Sequence, residues 1–337
     1  MPQRSDADEI FMARAVALAR RGEGHTRPNP PVGAVIVRDG RMIGEGWHRK
    51  CGADHAEVAA LKDAARRGET VKGACVYVTL EPCSRPGRVG ACTDALIAAG
   101  VGRVVFACRD PNPKNRGRAG RIFGRAGIVC DRLRNALADE LIAPFAKHVT
   151  TGMPYVTVKI AMSLDGRICD DFGDAKWISS PAARKETGRL RERVDAIMVG
   201  AGTVRADDPS LLPHHGRNDD LLRVVVTRSG KLPAEAKVFR DGRNETVVFR
   251  TGRGRDLKNV LSELGNRGVM HVLCEGGMKL AVSLAEAGLV DEWISVISPC
   301  LIGTRRMAEK KVFKPAGARY AVRVKDDTIA RFRCSRD

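Results

Sequence analysis

His55 and Glu57, followed by Pro82-Cys83 and then Cys92, are the residues of this chain whose types and spacing best suit joint chemistry. Imidazole and thiolate are zinc ligands, and a catalytic zinc takes three protein ligands and leaves its fourth tetrahedral position for water. His55, Cys83 and Cys92 supply three such ligands. Zinc lowers the pKa of bound water from about 16 towards about 7, so a nucleophile becomes available at neutral pH. A carboxylate beside the metal but not on it then moves the proton, and Glu57 has that place in the pattern. Together these residues fit hydrolytic removal of an amine from a nucleobase ring. Taken singly, each cysteine reads as a small buried hydrophobe; the combination is what points to a metal.

The elements that must position these groups are legible. Residues 76–80 read as a buried strand ending at Glu81-Pro82-Cys83. Val58, Leu61 and Ala65 recur at helical spacing after His55, with a stop at Arg66-Arg67-Gly68. Cys92 precedes a second helical pattern, Thr93–Ala99, closed by Gly100. His55 and Cys92 therefore stand at helix starts, where the helix dipole favours thiolate. Around them the patterning predicts a helix from Asp6 to Arg21 ending at Gly22 and a hairpin turn at Asp39-Gly40. It also predicts a strand over Val104–Cys108 and a helix over Arg132–Lys147. A Gly/Pro-bearing connection, Thr150–Pro154, marks a boundary. Beyond it lie strand patterns at Tyr155–Ala161, Ala196–Val199, Arg223–Thr227, Thr246–Phe249, His271–Cys274 and Trp293–Ile297, with helical patterns between several of them. The interleaving argues for α/β architecture with two sheets, and 337 residues suffice for two cores, in domains 1–150 and 151–337.

Composition narrows the function classes. No apolar run approaches the ~20 residues needed to cross a bilayer, so no membrane partner is expected. Ser5-Asp6-Ala7-Asp8-Glu9 reads as a capped helix start, not a signal peptide, and ten cysteines in a chain this long do not make a disulfide framework. A cytoplasmic location follows. The net charge of +18 raises nucleic-acid binding, and some zinc deaminases act on polynucleotides. Here the arginines are scattered through both halves and aromatics are only 4% of the chain, too few for base-stacking platforms. Phosphate recognition and solvated helix faces account for the charge, and no nucleic-acid partner is expected.

Eight residues separate Cys83 from Cys92, a spacer longer than the commoner Cys-x-x-Cys. That spacer, with Arg27-Pro28-Asn29-Pro30-Pro31-Val32-Gly33, Gly44-Glu45-Gly46-Trp47-His48, His55-Ala56-Glu57, Thr79-Leu80-Glu81-Pro82-Cys83-Ser84 and Asp110-Pro111-Asn112-Pro113, resembles the riboflavin-biosynthesis deaminases. In that family the deaminase is usually fused to a reductase. The second half answers to this in order, with Lys159-Ile160-Ala161-Met162-Ser163-Leu164-Asp165-Gly166-Arg167, Trp177-Ile178-Ser179-Ser180, Gly202–Pro209 and Glu275-Gly276-Gly277. The resemblance covers nearly the whole chain. It implies a cytidine-deaminase-like α/β/α domain and then a dihydrofolate-reductase-like α/β domain, with Zn2+ and NADPH as cofactors. It also implies a homo-oligomer acting on small phosphoribosyl pyrimidines.

The reactions so implied are deamination of 2,5-diamino-6-(5-phosphoribosylamino)pyrimidin-4-one and then NADPH reduction of the ribosyl group at C1′. Asn29, His48 and Arg88 match positions that contact the pyrimidine substrate. In the second half Arg191, Leu211 and Glu275 match the substrate side. Lys159, Ala161, Trp177, Ser179, Thr203, Asp207, Gly276 and Gly277 match the cofactor side. Glycines at the start of a helix let backbone approach a phosphate, although a lone Gly-Gly more often marks an ordinary turn. Arg228, Lys231 and Arg250 are cations available to the NADPH 2′-phosphate.

The chain departs from the family in places. The loop after Cys83 reads Ser84-Arg85-Pro86-Gly87-Arg88-Val89-Gly90-Ala91, where a histidine and then Thr-Pro-Pro are usual. Ala175 replaces an expected serine, His214 an arginine and Thr227 an aspartate. Three readings therefore stand at the level of sequence: a bifunctional enzyme, an enzyme with one activity whose other domain is a binding module or scaffold, and a polynucleotide deaminase or RNA-binding protein. Reductase departures also leave room for a related phosphoribosyl pyrimidine as substrate.

Overall fold

Helix α1 (Asp6–Ala19) opens with Asp6, Asp8 and Glu9 in its first turn, where the positive end of the helix dipole favours acids. A short 3-10 turn, Arg20–Gly22, ends it. Strands β1 (Gly33–Arg38) and β2 (Arg41–Trp47) form a hairpin. Asp39 and Gly40 between them both have positive φ, 51° and 73°, as a two-residue turn that follows strand twist requires. The chain then alternates: α2 (Ala56–Arg66), β3 (Cys75–Leu80), α3 (Cys92–Ala98), β4 (Arg103–Cys108), α4 (Ala119–Arg125), β5 (Val129–Arg132) and α5 (Ala136–Thr151). In the sheet the order is β2-β1-β3-β4-β5, with β1 antiparallel to both neighbours and β3, β4 and β5 parallel.

Alternation along β1 sends Val35 and Val37 to one face and Ala34 and Ile36 to the other. The first face packs on α1 and α5 through Met12, Ala15, Leu141 and Ile142. The second packs on α2, α3 and α4 through Ala60, Leu96 and Phe123. The result is an α/β/α sandwich. Polar links pin its outer layer: the Tyr77 hydroxyl donates to Asp8 at 2.5 Å, and Arg103 bridges Asp8 at 3.0 Å and Asp131 at 2.9 Å.

The computed structural model describes residues 6–85, 90–169, 178–213, 218–252, 256–300, 302, 316–324 and 327–334. It divides into two compact units, Met1–Gly152 and Met153–Asp337. The second unit runs β6 (Tyr155–Ser163), α6 (Pro181–Gly188), α7 (Leu190–Arg193), β7 (Ala196–Gly200), α8 (Ala201–Asp207), β8 (Leu222–Thr227), α9 (Lys237–Arg240) and β9 (Thr246–Arg250). It continues with α10 (Leu257–Asn266), β10 (His271–Cys274), α11 (Met278–Glu286), β11 (Glu292–Ser298), β12 (Ala316–Val324) and β13 (Asp327–Arg333). The sheet order is β12-β13-β11-β6-β10-β7-β8-β9. Strands β11 through β9 in that order are parallel, and the β12–β13 hairpin adds antiparallel to β11. Helices cover both faces: α10 and α11 bury Leu261, Leu264 and Leu284 on one, and α8 and α9 bury Val204 and Val238 on the other.

Several elements differ from expectation. The helix expected from Arg132 starts at Ala136, because Asn135 caps it by accepting from the N–H groups of Leu137 and Ala138. Arg132 instead ends the edge strand β5. Thr150 and Thr151 belong to the last turn of α5, which Gly152 closes at φ 71°. The β12–β13 hairpin had no counterpart in the patterning of the sequence.

Strand β2 lies unusually close to α2. A Cβ on Gly46 would sit 2.5 Å from the Ala60 nitrogen, and one on Gly44 would sit 2.6 Å from the Ala60 oxygen. These are rigid backbone atoms, so the two glycines set the seating of the helix whose first turn carries Glu57. Gly46→Val is therefore expected to lower stability by about 1–3 kcal/mol or more, read as an earlier urea-unfolding midpoint of the whole chain.

Candidate active site

His55 is the residue before α2, Cys83 lies three residues past β3 and Cys92 is the first residue of α3. Their ligand atoms converge: His55 Nδ1 is 3.2 Å from Cys92 Sγ and 3.6 Å from Cys83 Sγ, and all three atoms lie within 4.8 Å of one another. Zinc bonds of about 2.0–2.3 Å in a tetrahedron give ligand-to-ligand edges of about 3.5–3.8 Å, so the donor set fits one ion. Among the described residues this is the one cluster of three histidine, cysteine or acidic side chains with that spacing.

Helix formation and ligand placement are the same event at α3. The first backbone N–H groups of a helix lack partners within it. Here the Cys92 N–H donates to Cys83 Sγ at 3.3 Å and the Thr93 N–H donates to the Cys83 carbonyl at 3.1 Å. Hydrogen bonding from Cys92, aided by His55, holds the Cys83 thiol down at about 4 despite its burial, the condition for a thiolate ligand. Cys92 is pushed the other way by its hydrogen bond with Cys83 and by burial. Glu57, in the first turn of α2, is 3% exposed. Burial, reinforced by the negative charge of Cys83, raises its carboxyl to about 7.

Asn29, His48, His55, Glu57, Cys83 and Asp110 line one pocket, floored by Leu80 and Phe145. His48 is buried, and its Nδ1 lies 3.0 Å from the Asp54 carbonyl, which fixes the donor tautomer there. His48 Nε2 then accepts from Asn29 Nδ2 at 3.1 Å. Burial lowers the His48 pKa and keeps the ring neutral. His48 also meets the His55 ring edge-on at 5.3 Å. Arg88 lies outside the described residues.

Two residues not assigned a role from the sequence, Glu81 and Asp110, line this pocket, and a third, Asn115, stands behind Asp110. Glu81, 2% exposed, accepts from the N–H groups of Asp110, Gly117 and Ala119 and so pins the loop from β4 to α4. Asp110 accepts from Asn112 N–H at 2.8 Å and from Asn115 Nδ2 at 2.6 Å. Asn115 in turn accepts from the N–H and hydroxyl of Ser84. Glu81 and Asp110 stand inside motifs that the sequence displays, whereas Asn115 carries no local signal.

In the second unit, polar groups gather along the carboxyl-terminal parts of adjacent parallel strands, where open α/β sheets bind ligands. Cys274 pairs with Val158, so Glu275 follows at the level of Lys159. Glu275 accepts twice from Arg191, at 2.5 and 3.1 Å, and Arg191 also donates to the Leu212 carbonyl at 3.0 Å. Both partners are largely buried, with side chains 14% and 11% exposed. Arg184, also unremarked in the sequence, adds positive charge near Lys159 and donates to the Ser179 carbonyl. Gly277 stands before α11 with its N–H on Thr203 Oγ1 at 3.3 Å, and no atom lies within 4 Å of where its Cβ would be. That open backbone at a helix start suits a phosphate-bearing dinucleotide. Ala161 lies on β6 and Asp207 ends α8, exposed.

The arrangement amends the sequence reading at Leu211. Its side chain is buried in the core with Val199, Val204 and Leu221, at φ 55°, so it offers no side-chain surface to a ligand. Thr227, where an aspartate was expected, is buried at the end of β8 and accepts from the Gly230 N–H. Arg228 and Lys231 follow β8 and Arg250 ends β9, all three exposed. Trp177, Ala175 and His214 lie outside the described residues.

Comparison with known families agrees with both halves. Residues 5–108 match the cytidine and deoxycytidylate deaminase zinc-binding region, and residues 154–334 match the RibD C-terminal domain. Fold and sites thus define a zinc-type deaminase fused to an α/β reductase. The riboflavin biosynthesis protein RibD of Escherichia coli K12 is 40% identical, over 88% of this chain and 89% of that protein. The RibD of Mycobacterium tuberculosis H37Rv is also 40% identical, over 87% and 85%. A solved RibD from Acinetobacter baumannii superposes with TM-score 0.84 at 35% identity, covering 98% of this chain and 99% of that one. The Thermotoga maritima diaminohydroxyphosphoribosylaminopyrimidine deaminase/5-amino-6-(5-phosphoribosylamino)uracil reductase does so with TM-score 0.88 at 32% identity and the same coverage. The chain belongs to the RibD family, the bifunctional deaminase/reductases of riboflavin biosynthesis. No helix among the described residues is long and apolar enough to cross a membrane.

The Lys159 environment makes a signed prediction. Burial lowers its amine pKa first of all, Glu275 raises it, and Arg191 and Arg184 lower it further. Glu275→Gln removes the stabilising charge, so the Lys159 amine is expected to lose its proton at lower pH than in wild type, and Arg191→Met should move it upward. Titration of the Lys159 side chain by NMR reads both directions; an unchanged midpoint in both variants would contradict the arrangement.

Proposed function

We propose that the first unit hydrolyses the ring amine of 2,5-diamino-6-(5-phosphoribosylamino)pyrimidin-4-one, releasing ammonia. The second unit then reduces the ribosyl group of the product, giving 5-amino-6-(5-phosphoribitylamino)uracil. The observation that carries this reading is the convergence of His55, Cys83 and Cys92 beside the buried carboxyl of Glu57. His55, Cys83 and Cys92 would hold the zinc, which supplies an activated water when bound.

Glu57 is the proton shuttle. A carboxyl buried until its pKa nears neutrality takes and returns a proton with little free-energy cost at either step. It takes the water proton and delivers protons to the ring nitrogen and the departing amine. His48, neutral and fixed by the Asp54 carbonyl, orients Asn29, whose remaining amide valences face the pyrimidine edge in the pocket. Arg88 is assigned to the same substrate site.

In the second unit a bound NADPH would supply the hydride for C1′ of the opened ribose. Arg191, held by Glu275 and Leu212, presents a guanidinium to the substrate, with Leu211 contributing backbone only. Lys159 is assigned to the cofactor side, where Glu275 raises its amine pKa against burial and the charges of Arg191 and Arg184. Ala161, Trp177, Ser179, Thr203, Asp207, Gly276 and Gly277 are assigned to the cofactor side. Domains 1–150 and 151–337 carry the two activities. The same reading includes a homo-oligomer in the cytoplasm, with small solutes and no polynucleotide as ligands.

Incubating the zinc-loaded chain with the diaminopyrimidine ribosyl phosphate, with and without NADPH, tests both halves by product mass. Deamination without cofactor and reduction only on adding NADPH are expected. Deamination that never proceeds to reduction would remove the second activity and implicate the changes at Ala175, His214 and Thr227. Glu57→Gln should keep its zinc and its reductase activity while deamination falls about 10²–10⁴-fold; normal ammonia release from that variant would exclude the shuttle. Substitution of Asp207 should impair only the NADPH-dependent step, seen as slower NADPH oxidation at unchanged ammonia release.

A further inference from the structure

We infer that Asn115 is a positioning residue for deamination: it ties the loop leaving the ligand Cys83 to the Asp110 wall of the pocket, and so sets substrate affinity. The inference rests on the deaminase reading above. Asn115 lies on the loop between β4 and α4, only 7% exposed. A buried amide must satisfy both its donor and acceptor sides, and this one does so between two separate segments. Its Oδ1 accepts from the Ser84 N–H and from the Ser84 hydroxyl, each at 2.7 Å. Its Nδ2 donates to Asp110 Oδ2 at 2.6 Å.

Each partner has a place in the site. Ser84 follows Cys83 directly, so its N–H fixes the chain as it leaves the metal-ligand cluster. Asp110 lines the pocket with His48, His55 and Glu57. Its other oxygen is taken by the Asn112 N–H, and its own N–H by Glu81. The Asn115 bond is therefore the second of the two hydrogen bonds that hold the Asp110 carboxylate. An aliphatic side chain at this position keeps the volume and breaks the tie. A carboxylate keeps the acceptor for Ser84 but turns an acceptor towards Asp110.

Asn115 bonds to none of His55, Glu57, Cys83 and Cys92 through its side chain, so the expected signature is a split between KM and kcat. In Asn115→Leu, loss of these buried hydrogen bonds should raise the deamination KM about tenfold or more with kcat within about threefold of wild type. Zinc content should stay at the wild-type level, and the reductase step should proceed unchanged. Asn115→Asp gives a second, independent readout. The groups facing Asp110 are Glu81 and Cys83, with Asn115 and the Asn112 N–H, and burial already raises its carboxyl. A second carboxylate there should share one proton with Asp110, which restores the donor only when protonated. The KM of Asn115→Asp should therefore be raised at about pH 8 and return towards wild type at about pH 6, with the wild-type KM as control at each pH.

Unchanged KM in Asn115→Leu, or loss of zinc with collapse of kcat, would overturn the assignment. If Asn115→Leu does not fold, the Asn115→Asp profile decides alone: a KM ratio to wild type that does not vary with pH overturns it. Failure of the wild-type chain to deaminate at all would instead strike the underlying reading, so the two failures are distinguishable.

Discussion

The meeting of His55 Nδ1 with the sulfurs of Cys83 and Cys92 is the constraint around which the first unit is arranged. The three groups come from the start of one helix, the end of one strand and the start of another helix. None is close to another in sequence, so their separation depends on how tightly α2 and α3 sit on the sheet. Gly44 and Gly46 allow α2 to approach β2 backbone to backbone. Cys83 itself seats α3 by accepting from its first N–H groups. Ligand placement and helix capping thus draw on the same atoms, and a shift that spoiled one would spoil the other.

The two sites handle charge in opposite ways. In the first unit an acid and two thiols share a buried place, and burial drives Glu57 up to about 7 while hydrogen bonding drives Cys83 down to about 4. Environment separates the roles: one group is suited to hold and release a proton, the other to stay ionised as a ligand. A dication held by His55, Cys83 and Cys92 would add its own charge to this balance and favour every nearby anion. The second unit instead pairs charges directly. Arg191 and Glu275 neutralise each other in a largely buried bridge, and Lys159 lies within the field of Glu275, Arg191 and Arg184. The open backbone at Gly277, at the start of a helix, is suited to an anionic solute.

Much of this was legible in the sequence because its signals are local. Helix α2 and strand β3 follow from periodicity and from breakers at their ends, and Asp39-Gly40 dictates its own turn. The metal cluster was legible because few functions need His-x-Glu and two later cysteines together. What escaped depends on long-range contacts. Strand β5 has only four residues and no fully buried one, so no alternation marks it. The β12–β13 hairpin extends the edge of a sheet, next to β11, that only the fold creates. Leu211 was placed towards substrate by resemblance, and tertiary packing turned its side chain into the core. Asn115 matters through a partner 31 residues away, and a polar residue in a loop announces nothing of this by itself.

The departures from the family pattern bear unequally on the two sites for a structural reason. Between Cys83 and Cys92 the sequence is much altered, yet the cysteines are fixed from outside that segment. Cys83 follows a buried strand, Cys92 begins a helix, and the two are joined directly by the Cys92 N–H on Cys83 Sγ. The loop's sequence can therefore change without moving the ligands. No such bracket protects the position of Thr227. It stands at a strand end, and a hydroxyl there accepts from the Gly230 N–H but carries no charge for a ligand. Metal ligation thus rests on a backbone bond that a change of side chain within the loop leaves in place, whereas charge at the end of β8 depends on which side chain stands at Thr227.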